Sequence, residues 1–492
     1  MSATKNGSAR EVAKKKTKRV ANTNQSPAIK IFSGDRFRRN LLVIPLLALL
    51  VKFYFILRIP PVPWPSIDPA QYRLGNFWLG ADGENYVNGL NALITNGVLT
   101  PEGYDYWPAG YPILLYIFGL PFRSLTLVSA AVIQTIIYAM AMAFFIDRIA
   151  TTRLRRFAVP LALLLAFNPT LSFNSYAIGY ESPAAALLLL AVGLLIREFQ
   201  KKKFGLVSKE SILAALTISL TSFMQPRMVV IGMAIFGIWA LATRTKKVAL
   251  GFFALTMAAS LLFPAFLIAR NAIATGQAYI STNLGVTMRI GAGPSATGGY
   301  GNGSSELICP EVDGSAADKD NAVVRCVVDW YLDNPGEATS LIMRKAVFYW
   351  SPWFGPVANG TMARNPWNQN HPLKSTAQNQ QGYDLIFGTI GKVVSWLWLL
   401  STIGFMLFGF WILWRANGLE RLLGVTFLAV IIINMLVSML TIGDHRFRLP
   451  VAGLSLFLQG VGLTWAFSKR ARRSITGEEK LLWKSLTRTT NL

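Results

Sequence analysis

Long apolar blocks, each bordered by a cluster of lysine and arginine, limit this chain to one class of architecture. LLVIPLLALLVKFYFIL fills 41–57 and AAALLLLAVGLLI fills 184–196. About 20 apolar residues in a row are what the hydrocarbon core of a bilayer requires, because backbone polar groups there must be satisfied within a helix. Of the 492 residues, 52% are hydrophobic and 15% charged, against roughly 25% charge in a soluble domain. The expected fold is an all-α polytopic membrane protein.

The net charge of +24 invites a nucleic-acid reading, and its distribution excludes one. Basic residues cluster at the N-terminus, at Arg153–Arg156, Lys201–Lys203, Arg244–Lys247 and Arg415–Arg421, and from Lys469 onward. Each cluster abuts an apolar block, which is the positive-inside pattern, and anionic headgroups would attract the basic tails. With the N-terminus inside, ten crossings satisfy that pattern at every turn: 41–57, 124–147, 157–173, 183–197, 210–225, 228–243, 248–269, 391–414, 422–441 and 449–467. The chain then divides into a basic cytoplasmic tail (1–40), a transmembrane domain (41–467) and a second basic cytoplasmic tail (468–492). Eleven Lys/Arg precede the first block and no small-residue cleavage site follows it, so no cleavable signal peptide is expected.

Two outer segments, 58–123 and 270–383, are too long to be turns. In the first, YPILLYIFGL (111–120) is too short to span and is expected to lie at the interface within an aromatic belt. The second holds both cysteines, Cys309 and Cys326. Outside the cytoplasm a disulfide between them would persist and stabilise by roughly 3 kcal/mol; two free thiols are the alternative. Their number and spacing argue against zinc, and the sequence has no Walker loop, Rossmann fingerprint, HExxH or internal repeat.

Three groups of outer-side residues can carry chemistry. Asp82, Glu84 and Tyr86 stand in GADGENYVNGLNALITNG, where Tyr86, Leu90, Leu93 and Ile94 recur at helical spacing. Asp82 is therefore expected at a helix start, where capping competes with catalysis as its role. Glu181, in SYAIGYESPAA, would stand at the outer mouth of a membrane helix. A carboxylate near membrane depth is expensive unless it faces a cavity. Arg270, Arg446 and Arg448 are outer cations against the direction of the charge rule. Headgroup contact is one explanation, and recognition of a lipid phosphate is the other.

Several segments resemble those of GT-C membrane glycosyltransferases, in the branch of the protein mannosyltransferases and lipid A aminoarabinose transferases (glycosyltransferase family 39). ADGENY followed by NALITNG resembles the acidic loop motif, and WPAGYPILLYIFGL the aromatic interfacial helix. SYAIGYESPAAALLLL resembles the acid at the start of a later helix. FPAFLIARNAIATGQAYISTNLGVTMRIGAGPSATGG is similar to a segment reading Arg-Asn, Ser-Thr-Asn-x-Gly and Ala-Thr-Gly. YLDNPGEATSLIMRKAVFYW and the closing HRFRLPVAGL follow in the same order. Many members carry Asp-Glu side by side, whereas here Gly83 separates Asp82 from Glu84. Both acids are candidates, and the Asp-to-Tyr spacing favours Asp82.

The resemblance implies a GT-C fold and transfer of one sugar from a polyprenyl-phosphate donor, with inversion, to a glycolipid, envelope polymer or protein on the outer face. Asp82 would be the base and Glu181 a hydrogen-bonding partner of sugar or acceptor. Arg270, Arg446 and Arg448 would hold the phosphate. Glu84, Tyr86, Asn271, Ser281, Thr282 and Asn283 would line the polar pocket. No cofactor is implied, and no metal, because arginines can offset the developing charge. The expected site of action is a bacterial inner membrane. Asn302-Gly-Ser and Asn359-Gly-Thr match glycosylation sequons, which matter only in a eukaryotic secretory pathway. A lipid-linked saccharide flippase would need polar residues running through the membrane, where Gln134, Asn434 and Gln459 are scattered. A polysaccharide polymerase or ligase is the nearer alternative.

Overall fold

The structure, a computed structural model, describes residues 36–58, 67–73, 75, 77–79, 82–99, 106–168, 170–201, 204–299, 306–350, 389–468 and 471. Most of both basic tails, the two sequons and the stretch 351–388 lie outside the described residues. A short helical lead, Arg36–Leu41, runs into α1 (Val43–Arg58). Then follow α2 (Gly83–Asn96), α3 (Gly110–Gly119), α4 (Thr126–Ala150), α5 (Ala158–Phe167), α6 (Glu181–Lys201), α7 (Lys209–Met224) and α8 (Met228–Thr243). After α9 (Lys246–Ser260) and α10 (Leu262–Thr275) come three helices within 270–383: α11 (Leu284–Ile290), α12 (Ala316–Asp333) and α13 (Pro335–Trp350). The chain closes with α14 (Thr389–Arg415), α15 (Leu419–Met439) and α16 (Leu449–Phe467).

This is a helical, multi-pass membrane protein, and each of the ten expected crossings contains helix. The count of ten is not reached by length and composition. Among the described residues six helices are long and apolar enough to cross, or seven if α9 and α10 form one span bent by 44°. Pro264, near the start of α10, has no N–H to offer the Ser260 carbonyl of α9, and the Phe263 amide, in the first turn of α10, donates to Ser219 of α7 at 2.9 Å. The expected crossing at 157–173 stops at Phe167. There the Asn168 side chain accepts from the amides of Thr170 and Leu171, and the chain turns into a 3₁₀ segment at Phe173–Tyr176. Ten residues make only about 15 Å of helix. The expected interfacial helix is α3, separated from α4 by a break at Phe122.

Ion pairs gather helix ends on one face of the bundle. Arg38 donates from Nε to Asp147 at 2.6 Å, tying the lead into α1 to the end of α4. Gln200 at the end of α6 donates to Thr151 at 2.7 Å, and Arg244 after α8 pairs with Glu198 of α6 at 2.6 Å. These basic ends are those expected inside. Because α6 ends on this face, its first residue, Glu181, lies at the opposite one.

A two-stranded parallel ladder organises that opposite face. β1 (Trp78–Leu79) pairs with β2 (Ala177–Ile178), with Trp78 opposite Ala177 and Leu79 opposite Ile178. Beneath it lies an aromatic-rich core that includes Tyr86, Tyr111, Tyr176, Tyr180 and Phe223. The expected Cys309–Cys326 disulfide is formed and ties the segment before α12 to that helix. The α12–α13 hairpin is pinned to the bundle by Lys345, which is fully buried. Its ammonium donates to the Tyr331 hydroxyl at 2.8 Å and to the Thr441 carbonyl.

Candidate active site

The ladder brings the two candidate acids together. Asp82 follows the paired Leu79 by three residues, and Glu181 follows the paired Ile178 by three. Parallel strands carry both chains the same way, so each acid arrives at a helix start on the same side. Asp82 occupies the position before α2, and Glu181 opens α6.

Capping does not account for Asp82. Its side chain makes no capping hydrogen bond to α2. Oδ2 instead lies 3.1 Å from Nη2 of Arg446, with the two side chains 14% and 15% exposed. Arg446 belongs to a 3₁₀ turn, His445–Arg448, capped by Asp444, whose carboxylate accepts from the Arg446 amide at 2.9 Å. A second Asp444 oxygen stands 3.6 Å from Arg446 Nε. Glu181 is 5% exposed, and its charge interacts with those of Arg446, Asp82 and Arg227. The site thus sets two carboxylates within 3.6 Å of Arg446, with Glu181 near enough to interact with its charge.

The departure at Gly83 has a steric cause. A β-carbon there would stand 2.8 Å from the Ile178 carbonyl and 3.0 Å from Leu79 Cβ. The close approach of α2 to the ladder leaves no room for a side chain, and Glu84 falls in the first turn of α2, half-buried.

Aromatic residues wall the site. Tyr86, 2% exposed, meets Tyr111 at 4.9 Å, Trp107 at 6.0 Å and Tyr180 at 6.3 Å, all edge to face. Burial, then the Asp82 charge, pushes the Tyr86 phenol well above its ordinary value, so it remains a donor. Tyr111 accepts from the Gly179 amide at 2.7 Å and donates to Gln134 at 2.7 Å, while Gln134 donates to the Ala177 carbonyl at 3.3 Å. α3 thereby fixes the backbone two residues before Glu181. The Tyr180 hydroxyl, pushed up to about 12 mainly by burial, accepts from Gln225 at 3.0 Å and from Arg227 at 3.4 Å.

Arg448, 5% exposed, points another way. It donates to the carbonyls of His445 (3.3 Å) and Trp350 (3.4 Å) and packs on the Tyr349 and Trp350 rings. It lines a small cleft together with Met406, Ile431, Val451, Leu456, Thr402 and Gln459. Asn434 secures this corner by donating to Tyr349 Oη at 2.7 Å and to the Phe447 carbonyl at 2.8 Å.

Arg270, Asn271, Thr282 and Asn283 gather elsewhere. Arg270 donates to the Val98 carbonyl at 2.8 Å and to the Asn271 side chain at 2.5 Å. Val98 lies beyond the far end of α2, roughly 20 Å of helix from Asp82. Asn271 donates to the carbonyls of Tyr279 and Ile280, Ser281 donates to Asn283 at 3.0 Å, and Thr282 is buried. Missing from the sequence reading are Tyr111, Tyr180, Arg227 and Asp444. Arg227 carried the same signal as Arg270, a cation bordering an apolar block on the outer side.

Among the described residues no cluster of three or more His, Cys, Asp or Glu could hold a metal ion. No protein-family model matches the chain, and no curated protein matches it. Among solved structures it is similar to the archaeal oligosaccharyltransferase AglB from Archaeoglobus fulgidus in complex with an inhibitory peptide and a dolichol-phosphate. The identity is 16% and the TM-score 0.47, over 90% of this chain and 53% of that one. The oligosaccharyltransferase of the same organism in the apo form gives 14% identity and a TM-score of 0.46, over 92% and 52%. The chain spans about half the length of these proteins.

Proposed function

We propose that this protein is a GT-C-type membrane glycosyltransferase that moves a sugar from a polyprenyl-phosphate carrier to an acceptor hydroxyl on the outer face of a bacterial inner membrane, with both termini cytoplasmic. The acceptor is a glycolipid, an envelope polymer or a protein. The observation that carries this reading is the convergence of Asp82 and Glu181, delivered by one strand pair, on the guanidinium of Arg446.

The acceptor oxygen attacks the anomeric carbon as the bond from that carbon to the phosphate oxygen breaks. The electron pair leaves with polyprenyl phosphate, and the hydroxyl proton passes to Asp82. A single displacement inverts the centre. Phosphate charge arriving at Arg446 competes with Asp82 for its donors and releases the carboxylate to accept the proton. A positioned base contributes about 10²–10⁴-fold, and stabilisation of the leaving phosphate is often the larger effect. Glu181 and Tyr86 hydrogen-bond sugar or acceptor at the mouth. The cleft that Arg448 lines with apolar Met406, Ile431, Val451 and Leu456 is the place for the start of the carrier's hydrocarbon chain.

The test is transfer by purified protein from labelled polyprenyl-phosphate sugars to an envelope acceptor fraction, comparing wild type with Asp82→Asn. Transfer by wild type alone, with both proteins equally folded, supports the reading. Equal turnover by the variant removes Asp82 as base, and no transfer from any donor removes the glycosyltransferase.

A further inference from the structure

Arg446 is already engaged by two carboxylates, Asp82 at 3.1 Å and Asp444 at 3.6 Å. A phosphate group entering the site needs a second cation with donors to spare. Arg227, between α7 and α8, is that cation. Its guanidinium lies 4.1 Å from the Phe447 ring centroid, and that of Arg446 lies 5.2 Å from the same ring. Both guanidiniums therefore lie beside the same aromatic ring.

The donors of Arg227 are largely unspent. Nη2 reaches the Tyr180 hydroxyl at a long 3.4 Å. Nε is buried without a hydrogen-bond partner among the described residues, where no carboxylate lies within ion-pair distance of Arg227. Its charge interacts with Glu181 and with Tyr349, which borders the Arg448 cleft. A buried donor left unmet costs stability, and two like charges beside one ring repel. An anion between them would relieve both. Guanidinium presents paired N–H groups that match phosphate oxygens.

We propose that Arg227 is a donor-binding residue that, with Arg446, forms a two-arginine seat for the carrier's phosphate beside Phe447. The inference rests on the lipid-phosphate reading above and adds the residue that carries the phosphate while Arg446 is shared with the base.

The experiment measures binding of a short-chain polyprenyl phosphate, and of the matching polyprenol, to full-length protein in detergent. Wild type, Arg227→Gln and Arg227→Lys are compared, with thermal unfolding of each. Arg227→Gln should lose on the order of tenfold or more in phosphate affinity and keep its polyprenol affinity. Arg227→Lys should fall between, and the wild-type affinity should drop with salt more steeply than that of Arg227→Gln. Unchanged phosphate affinity in Arg227→Gln, with wild type preferring phosphate over polyprenol, overturns the assignment of Arg227 alone. Equal loss for phosphate and polyprenol also overturns it, because the residue then acts through packing. A wild type that binds both lipids alike overturns the lipid-phosphate reading, and this inference with it.

Discussion

Asp82 and Arg446 stand 3.1 Å apart, joined not by secondary structure but by the turn that Asp444 caps. The pair sets a base against a phosphate cation, so removing either partner should change different constants. Arg446→Ala leaves Asp82, Asp444 and Glu181 around an empty place, and an incoming phosphate meets carboxylates alone. We expect donor KM to rise on the order of tenfold or more with acceptor KM little changed. Steady-state kinetics with each substrate varied in turn decide it, and an unchanged donor constant would remove Arg446 from phosphate binding.

Gly83 offers a test of how the acids are placed. In Gly83→Ala the new methyl would stand 2.8 Å from the Ile178 carbonyl, so α2 must move off the ladder. Overpacking of this kind costs about 1–3 kcal/mol, and the displacement carries Asp82 with it. Thermal unfolding should show a lowered midpoint and the transfer assay a loss beyond it. Gly336→Ala is the control: no atom lies within 4 Å of the added carbon, and a midpoint as low as that of Gly83→Ala would defeat the steric account.

Much of this was readable because membrane insertion is a strict filter. The blocks at 183–197, 228–243 and 449–467 emerge as helices Glu181–Lys201, Met228–Thr243 and Leu449–Phe467, since hydrophobicity and flanking charge alone specify them. The helix at 157–173 was overestimated because Asn168 turns its side chain to the backbone and ends it. Asp82 was readable as a helix start, but its choice of Arg446 over capping depends on contacts distant in sequence. Gln134 and Asn434 looked scattered for the same reason. Gln134 meets Tyr111 and Ala177, and Asn434 meets Tyr349 and Phe447, and no periodicity announces such partners. Arg270 was grouped with the phosphate arginines by position, and its contacts hold it instead at the far end of α2.

The Cys309–Cys326 bond, spanning 17 residues, should stabilise the α12–α13 hairpin more than the bundle. The paired substitution Cys309→Ser, Cys326→Ser removes a constraint of roughly 3 kcal/mol for a loop of this size. Limited proteolysis should then cut the 306–333 region faster, with the membrane helices left intact. Equal cleavage rates with and without the bond would mean that the Arg289–Glu306 pair at 3.0 Å and the Ser315 cap of α12 hold this segment unaided.

Lys345 gives the fold a pH signature. Burial lowers its ammonium to about 7, from an ordinary 10.5. Both recorded partners, the Tyr331 hydroxyl and the Thr441 carbonyl, are satisfied by a neutral amine. Tyr331, pushed up to about 12 by burial, stays neutral throughout. Between pH 7 and 10.5 the unfolded chain holds a proton that the folded chain has released, so stability rises with pH across this window. The gain is undone as pH falls back through the same window, and below about 7 both states hold the proton and the dependence vanishes. Lys345→Met keeps the length of the side chain without a titrating group and should lack this rise. Thermal unfolding from pH 6 to 10 should therefore show wild type gaining on the variant above pH 7, by roughly a few kcal/mol over the window. A constant gap between the two proteins would mean that Lys345 keeps its proton in the fold.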